Sequence, residues 1–267
     1  MESERVKFQV LEYEELKGSS ELSSAFMLSY MRSAGIRLRQ VKIVLKDSTA
    51  YVEQGALSFL RGNIDISSDT GGPAGLVGKL FSSNLTGETL IKPLFSGRGE
   101  VMLEPSFNHY VLIELESGEE VFIDDRMFFA AEGSVKMGTK MVKSISGAVL
   151  GGGEKLFQTS LKGPGLVCLE VPVPEEEIFK YRLKDDALKV DGSYAILRTG
   201  NIEFTVEKAS PSLIGSAFSG EGFLQVFRGT GEVWLMQTKQ VYDELKEAEN
   251  PFERRKPIKP VNVANKE

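Results

Sequence analysis

Cysteine and histidine are almost missing from this 267-residue chain, which has one of each, Cys168 and His109. A single thiol cannot close an intrachain disulfide or build a zinc cluster. A single imidazole cannot supply the two or more histidines with which a cupin-like β fold holds iron, manganese or zinc. Any Ser-His-Asp or Cys-His arrangement would have to use His109. Positive charge is also short, with 32 basic against 38 acidic residues and a net charge of −6. Duplex and RNA binders usually carry a basic field, so nucleic acid is disfavoured as a partner. No stretch approaches the ~18 apolar residues of a membrane span. The start, Met1-Glu2-Ser3-Glu4-Arg5, is acidic with no apolar run behind it. It resembles neither a secretory signal nor an Arg-rich presequence, so a cytoplasmic location is expected.

What the chain does have is repetition. The pattern Gly-x-Gly-x-Val-x-Leu occurs at Gly97–Leu103, Gly163–Leu169 and Gly229–Leu235, each 66 residues from the next. Phe95, Leu161 and Phe227 precede these steps at the same spacing. The pairs Gly87-Glu88, Gly153-Glu154 and Gly220-Glu221 lie further upstream, with a one-residue slip in the last. The upstream halves align as well: Leu45-Lys46-Asp47, Leu115-Glu116-Ser117-Gly118 and Leu183-Lys184-Asp185-Asp186. Each leads to an apolar step, Ala56–Leu60, Met127–Ala131 and Tyr194–Leu197. Three units follow, over 41–104, 109–172 and 178–237.

Val101 and Leu103 alternate with other residues, as do Val167 and Leu169, and Val233 and Leu235, which is the period of a strand. The glycine pairs ahead of them suit tight hairpin turns. Closely spaced strands punctuated by Gly, Asp and Ser predict an all-β sandwich or barrel. Residues 1–40 form a strand and helix extension. Its helix is expected from Ser20 to Ala34, capped by Ser19 or Ser20, with Leu22, Phe26 and Tyr30 along one side and Gly35 ending it. Residues 238–267 read as a short helix bearing Val241, Tyr242 and Leu245, then a flexible, proline-broken tail. The first unit carries an insertion around Asp69–Gly75.

A search for chemistry assigns no catalytic, cofactor-binding or metal residue. Gly72–Lys79 looks like a P-loop, but its first glycine is one place off and Leu80 stands where Ser or Thr would hold magnesium. Gly151-Gly152-Gly153 lacks the strand-turn-helix setting of a dinucleotide site. Asp124-Asp125, Asp185-Asp186 and Glu175-Glu176-Glu177 read as solvated turns. Cys168 shares its place in the repeat with Met102 and Trp234, which points to packing. His109 reads as a linker residue between the first two units. Arg254-Arg255-Lys256 reads as part of a solubilising tail.

Over residues 40–240 the sequence resembles the altered-inheritance-of-mitochondria, TRAP-like β-fold family, which includes bacterial and archaeal members of unknown function. The resemblance rests on Glu53-Gln54-Gly55-Ala56-Leu57, Leu85-Thr86-Gly87-Glu88-Thr89-Leu90, the three glycine steps and Ser219-Gly220-Glu221-Gly222. It implies three tandem pseudo-repeats of a TRAP-like β-sandwich, related to the double-stranded β-helix. It also implies ring-like homo-oligomers, such as a trimer. Eukaryotic relatives are mitochondrial and linked to inner-membrane organisation, a pattern from which this chain departs by lacking a presequence. The family has no agreed catalytic residues to carry over. Two readings stand beside each other: a non-catalytic assembly or scaffold protein, and a ring that binds a small molecule or, less readily, RNA. An enzyme would have to work with carboxylates, hydroxyls and backbone amides alone.

Overall fold

A computed structural model describes residues 1–68, 92–141, 143–144, 157–192, 194–208 and 223–248. The insertion at 69–75, the P-loop-like 72–79, the Gly-Glu steps, the glycines at 151–153 and the tail beyond 248 lie outside these residues. The extension contributes β1 (Val6–Tyr13) and α1 (Leu22–Ser33). The first unit contributes β2 (Leu38–Val52), β3 (Leu57–Ser68) and β4 (Pro93–Leu103). The second contributes β5 (His109–Leu115), β6 (Glu120–Ile123), β7 (Phe128–Glu132), β8 (Lys136–Met141), β9 (Lys143–Ser144), β10 (Phe157–Lys162) and β11 (Gly165–Val171). The third contributes β12 (Phe179–Asp191), β13 (Ala195–Thr199), β14 (Ile202–Lys208) and β15 (Phe223–Leu235), followed by α2 (Lys239–Ala248).

The fold is all-β, with two sheets. One has the order β3-β4-β2-β7-β11-β5, with β1 also on β2. The other has the order β8-β10-β6-β13-β15-β14-β9, with β12 also on β15. Among the described residues the strand pairings are antiparallel except the short β9·β14 contact.

The glycine pairs do not make hairpin turns, contrary to the expectation from sequence. Gly97 and Gly99 sit inside β4, and Gly229 and Gly231 inside β15. They face β-bulges in the neighbouring strands. Leu45 opposes Gly99 and Ser48 opposes Gly97, so Lys46 and Asp47 together face Arg98. Likewise Leu183 opposes Gly231 and Asp186 opposes Gly229. Asp47 and Asp185 take the extra place at φ 51° and 53°, a left-handed conformation that aspartate tolerates better than most residues. The residue between the glycines holds the bulge. Arg98 donates to Asp47 through Nε at 3.0 Å, and Asp185 N–H donates to Thr230 Oγ1 at 3.0 Å. Each bulge shifts the strand's alternation by one. Val41, Ile43 and Leu45 are buried before it, and Ala50 and Val52 after it. In the second unit the strands break at this place, between β5 and β6 and between β10 and β11.

Three apolar clusters result. The first joins second-unit residues such as Val121 and Leu169 to third-unit Ile196, Leu197 and Met236. The second joins first-unit strands to β1 and to Phe129, Ala130, Leu166 and Cys168. The third lies within the last unit, around Phe204, Phe227 and Val233. Strand β1 completes the second cluster. Val6 lies opposite Leu45 and Phe8 opposite Ile43, and both are fully buried.

Helix α1 starts two residues later than expected. Glu21 stands at its N-cap without a side-chain bond, and Ser19 Oγ donates to the Glu21 carbonyl instead. Gly35 ends it at φ 71°, with Ile36 N–H reaching back to the Met31 carbonyl at 2.8 Å. That is the left-handed C-terminal stop that glycine favours. Among the described residues no helix is long and apolar enough to cross a membrane.

Candidate functional surfaces

His109 is not in a linker; it opens β5, opposite Val171. Partial burial lowers its pKa, and the Arg39 charge adds to that, against the opposing pull of Glu177, Glu176 and Glu12. Beside it, Glu170 Oε1 accepts from Ser106 Oγ at 2.7 Å and Asn108 Nδ2 at 3.0 Å. Tyr110 reaches the same oxygen at 3.5 Å, and burial pushes its phenol up to about 12. Such a network fixes the loop between the first two units, since a carboxylate sharing its oxygen among donors is held in place.

Cys168 is fully buried in the second cluster, and that burial pushes its thiol well above the ordinary range. A buried, protonated thiol is a poor nucleophile. The native protein should therefore show no reaction with a thiol-specific chromogenic reagent over minutes, and one full equivalent after denaturation. Rapid native labelling would show that the second cluster opens. Trp234 is half-buried, with Lys180 Nζ 4.1 Å from its ring centre and its own Nε1 donating to Glu232 at 3.3 Å.

The acidic pairs do not converge. Asp124 accepts from Arg126 N–H at 3.1 Å and pairs with its guanidinium. Asp185 occupies a strand bulge, not a turn, and Asp186 resumes the strand. Glu175 pairs with Lys180 at 2.8 Å, and Glu177 accepts from Tyr242 at 2.9 Å. Among the described residues no three His, Cys, Asp or Glu side chains gather in a metal-binding arrangement. Arg254-Arg255-Lys256 lies outside the described residues.

One buried charge had no sequence signal. Arg198 on β13 is 2% exposed; it donates to the Ile202 carbonyl at 2.6 Å and to Gln158 at 3.0 Å. Its guanidinium lies 3.9 Å from the centre of the Phe122 ring, and Lys140 lies 4.4 Å from the same ring. Burial lowers Arg198 to about 10, so it stays charged at neutral pH and serves as a structural pin across β10, β6 and β13.

Several large apolar side chains are exposed. Helix α1 has no buried residue, and Leu22, Phe26, Met27 and Tyr30 are 74, 56, 63 and 71% exposed. At ~200 Å² per large side chain, these four present roughly 500 Å², near the upper end for a monomer's largest patch. Beneath the helix lies a cleft of about 390 Å³, lined by Leu28, Met31, Ile36, Leu38 and Phe107 among others. On α2, Val241, Tyr242 and Leu245 are exposed.

Two long strands also have a bare edge. Among the described residues, strand β3 pairs only with β4, and β12 only with β15. Both carry exposed apolar side chains, Phe59 and Ile66 on β3, Phe179 and Tyr181 on β12. Aligning Leu45 with Leu183 puts Val41 and Ile43 in the places of Phe179 and Tyr181. The first pair is fully buried beneath β1, whereas the second is 49 and 39% exposed.

A protein-family model described as "Mitochondrial biogenesis AIM24" matches residues 31–238. An uncharacterised protein of Streptococcus pyogenes serotype M6 is 24% identical over 195 residues, covering 70% of this chain and 76% of that protein. A crystal structure of a Streptococcus pyogenes protein shares the fold at a TM-score of 0.59 and 19% identity. The match spans 91% of this chain and all of that one.

Proposed function

As the chain belongs to the mitochondrial biogenesis AIM24 family, we propose that it is a non-catalytic assembly protein that associates with copies of itself. The observation that carries this reading is α1, a three-turn helix with no buried residue and four large apolar side chains turned to water. A helix of that length is marginal alone and gains most of its stability from packing. The bare edges of β3 and β12 support the same reading, because proteins usually cover or blunt long edge strands. Closed assemblies built by a repeated head-to-tail contact would cover them.

A second reading, a ring that binds a small molecule, has one observation in its favour. The cleft beneath α1 falls in the size range of ligand sites and mixes apolar side chains with polar and charged ones, among them Glu14, Glu15, Lys17 and Arg32. Native mass spectrometry of the full chain separates the two. The assembly reading expects a closed homo-oligomer whose mass is a whole multiple of the chain. An extra mass released on denaturation would support the ligand reading and identify the molecule. A bare monomer at micromolar concentration would overturn both.

A further inference from the structure

The units are joined by the same strand pairing at both places where one meets the next. Between the first and second units, the late part of β2 pairs with β7: Ala50 opposite Glu132, Tyr51 opposite Ala131, Val52 opposite Ala130. Between the second and third, β6 pairs with β13: Val121 opposite Thr199, Phe122 opposite Arg198, Ile123 opposite Leu197. Each time the first strand of one unit meets the second strand of the next. The two contacts use corresponding residues of the units, Val52 matching Ile123 and Ala130 matching Leu197. Both are antiparallel.

Among the described residues, the third unit has a first strand with no such neighbour, and the first unit has a second strand with none. These are β12 and β3, whose outer edges are bare. The corresponding residues follow from the sequence alignment of the units. Val190 matches Val52, and Phe59 matches Ala130. The two segments are complementary in character. Val190 is buried on its core side and Leu188 half-buried, whereas Phe59 is 55% exposed and lacks a covering strand.

We propose that β12 of one copy pairs antiparallel with β3 of the next, with Val190 opposite Phe59, Lys189 opposite Leu60 and Leu188 opposite Arg61. The partner is a second copy of this chain, because the edge it must present is one this chain itself leaves open. The register brings Arg61 diagonally across from Asp186, a favourable cross-strand pair. It also puts Phe59 against the side of Val190, where Ala130 and Leu197 sit at the two internal junctions. The contact is head-to-tail, so repetition closes a ring or extends a filament. This inference rests on the self-association reading above and specifies the surface it uses.

Paired cysteines test it. In the full chain, Leu60→Cys and Lys189→Cys are introduced separately and together; Arg61→Cys with Leu188→Cys provides a second pair should the first not fold. Mild oxidation of the double variant should give a ladder of covalent oligomers on a non-reducing gel, collapsed by reductant. Each single variant alone should give none, and their equal mixture only a dimer. A double variant that assembles with wild-type mass but does not cross-link, while an internal Lys46→Cys/Arg98→Cys control does, would overturn this interface and leave self-association standing. A cross-link that shifts mobility without adding mass would mean that β12 and β3 meet within one chain, which also overturns it. A wild-type chain that stays monomeric would overturn the underlying reading as well.

Discussion

Replacing Gly97 with alanine should cost about 3 kcal/mol or more, the size of effect tied to strained backbone and steric overlap. The added Cβ would lie 2.1 Å from the Asn63 carbonyl oxygen, at φ +136°. Both obstacles are backbone, so no side chain can turn aside. Gly229 is placed the same way, with its Cβ 2.4 Å from the Asn201 oxygen at φ +130°. Thermal unfolding followed by circular dichroism should fall by about 6–12 °C for either variant, at ~2–4 °C per kcal/mol for a domain of this size. Gly18→Ala is the control, because nothing lies within 4 Å of its Cβ. A Gly97 variant that melts with the wild type would show that the close approach of β3 to β4 relaxes freely.

Phe8→Ala should be comparably damaging, at about 3–5 kcal/mol, the usual range for truncating a buried phenylalanine. Phe8 is fully buried opposite Ile43, and its strand seals one side of the second cluster. Removing the ring opens a cavity between β1 and β2 and unseats the strand that covers Val41 and Leu45. Urea titration should show a lower midpoint. A smaller slope as well would mean that β1 has detached before the global transition. Phe179→Ala, on the bare strand β12, should stay within about 0.5 kcal/mol in the dissociated chain, as exposed substitutions usually do. An equal loss at both places would mean that β12's edge is already covered in the isolated chain.

The sequence made the strands and the recurring glycine steps visible, because period-two alternation and fixed spacing are local signals. It misassigned what the glycines do. A Gly-x-Gly ahead of an alternating run looks the same whether it turns the chain or lies flat against a bulge. The difference depends on Asp47 and Asp185, which belong to other strands. Helix α1 was legible from Leu22, Phe26 and Tyr30, but that spacing describes an apolar stripe and says nothing of whether the stripe is covered. Here it is exposed. By position His109 reads as a linker, because it stands where the first unit ends and the second begins, whereas pairing with β11 recruits the histidine into a strand. The cation pair over Phe122 was invisible, since Lys140 and Arg198 meet only through sheet register. The bare edges could not be read at all, because an unpaired strand has the same alternation as a paired one.

The second unit's strands are divided between the sheets, β5, β7 and β11 in one, β6, β8, β9 and β10 in the other. Its side chains likewise serve two clusters, with Leu166 and Cys168 in the second and Val167 and Leu169 in the first. A load placed on the outer strand of either sheet therefore passes to the other through continuous backbone at five crossings among the described residues, at 116–119, 124–127, 133–135, 163–164 and 172–178. Peeling the sheets apart would also have to split the first cluster, which holds residues of both. Mechanically the two sheets are tied together at each of these crossings, so a force on one is shared by the other.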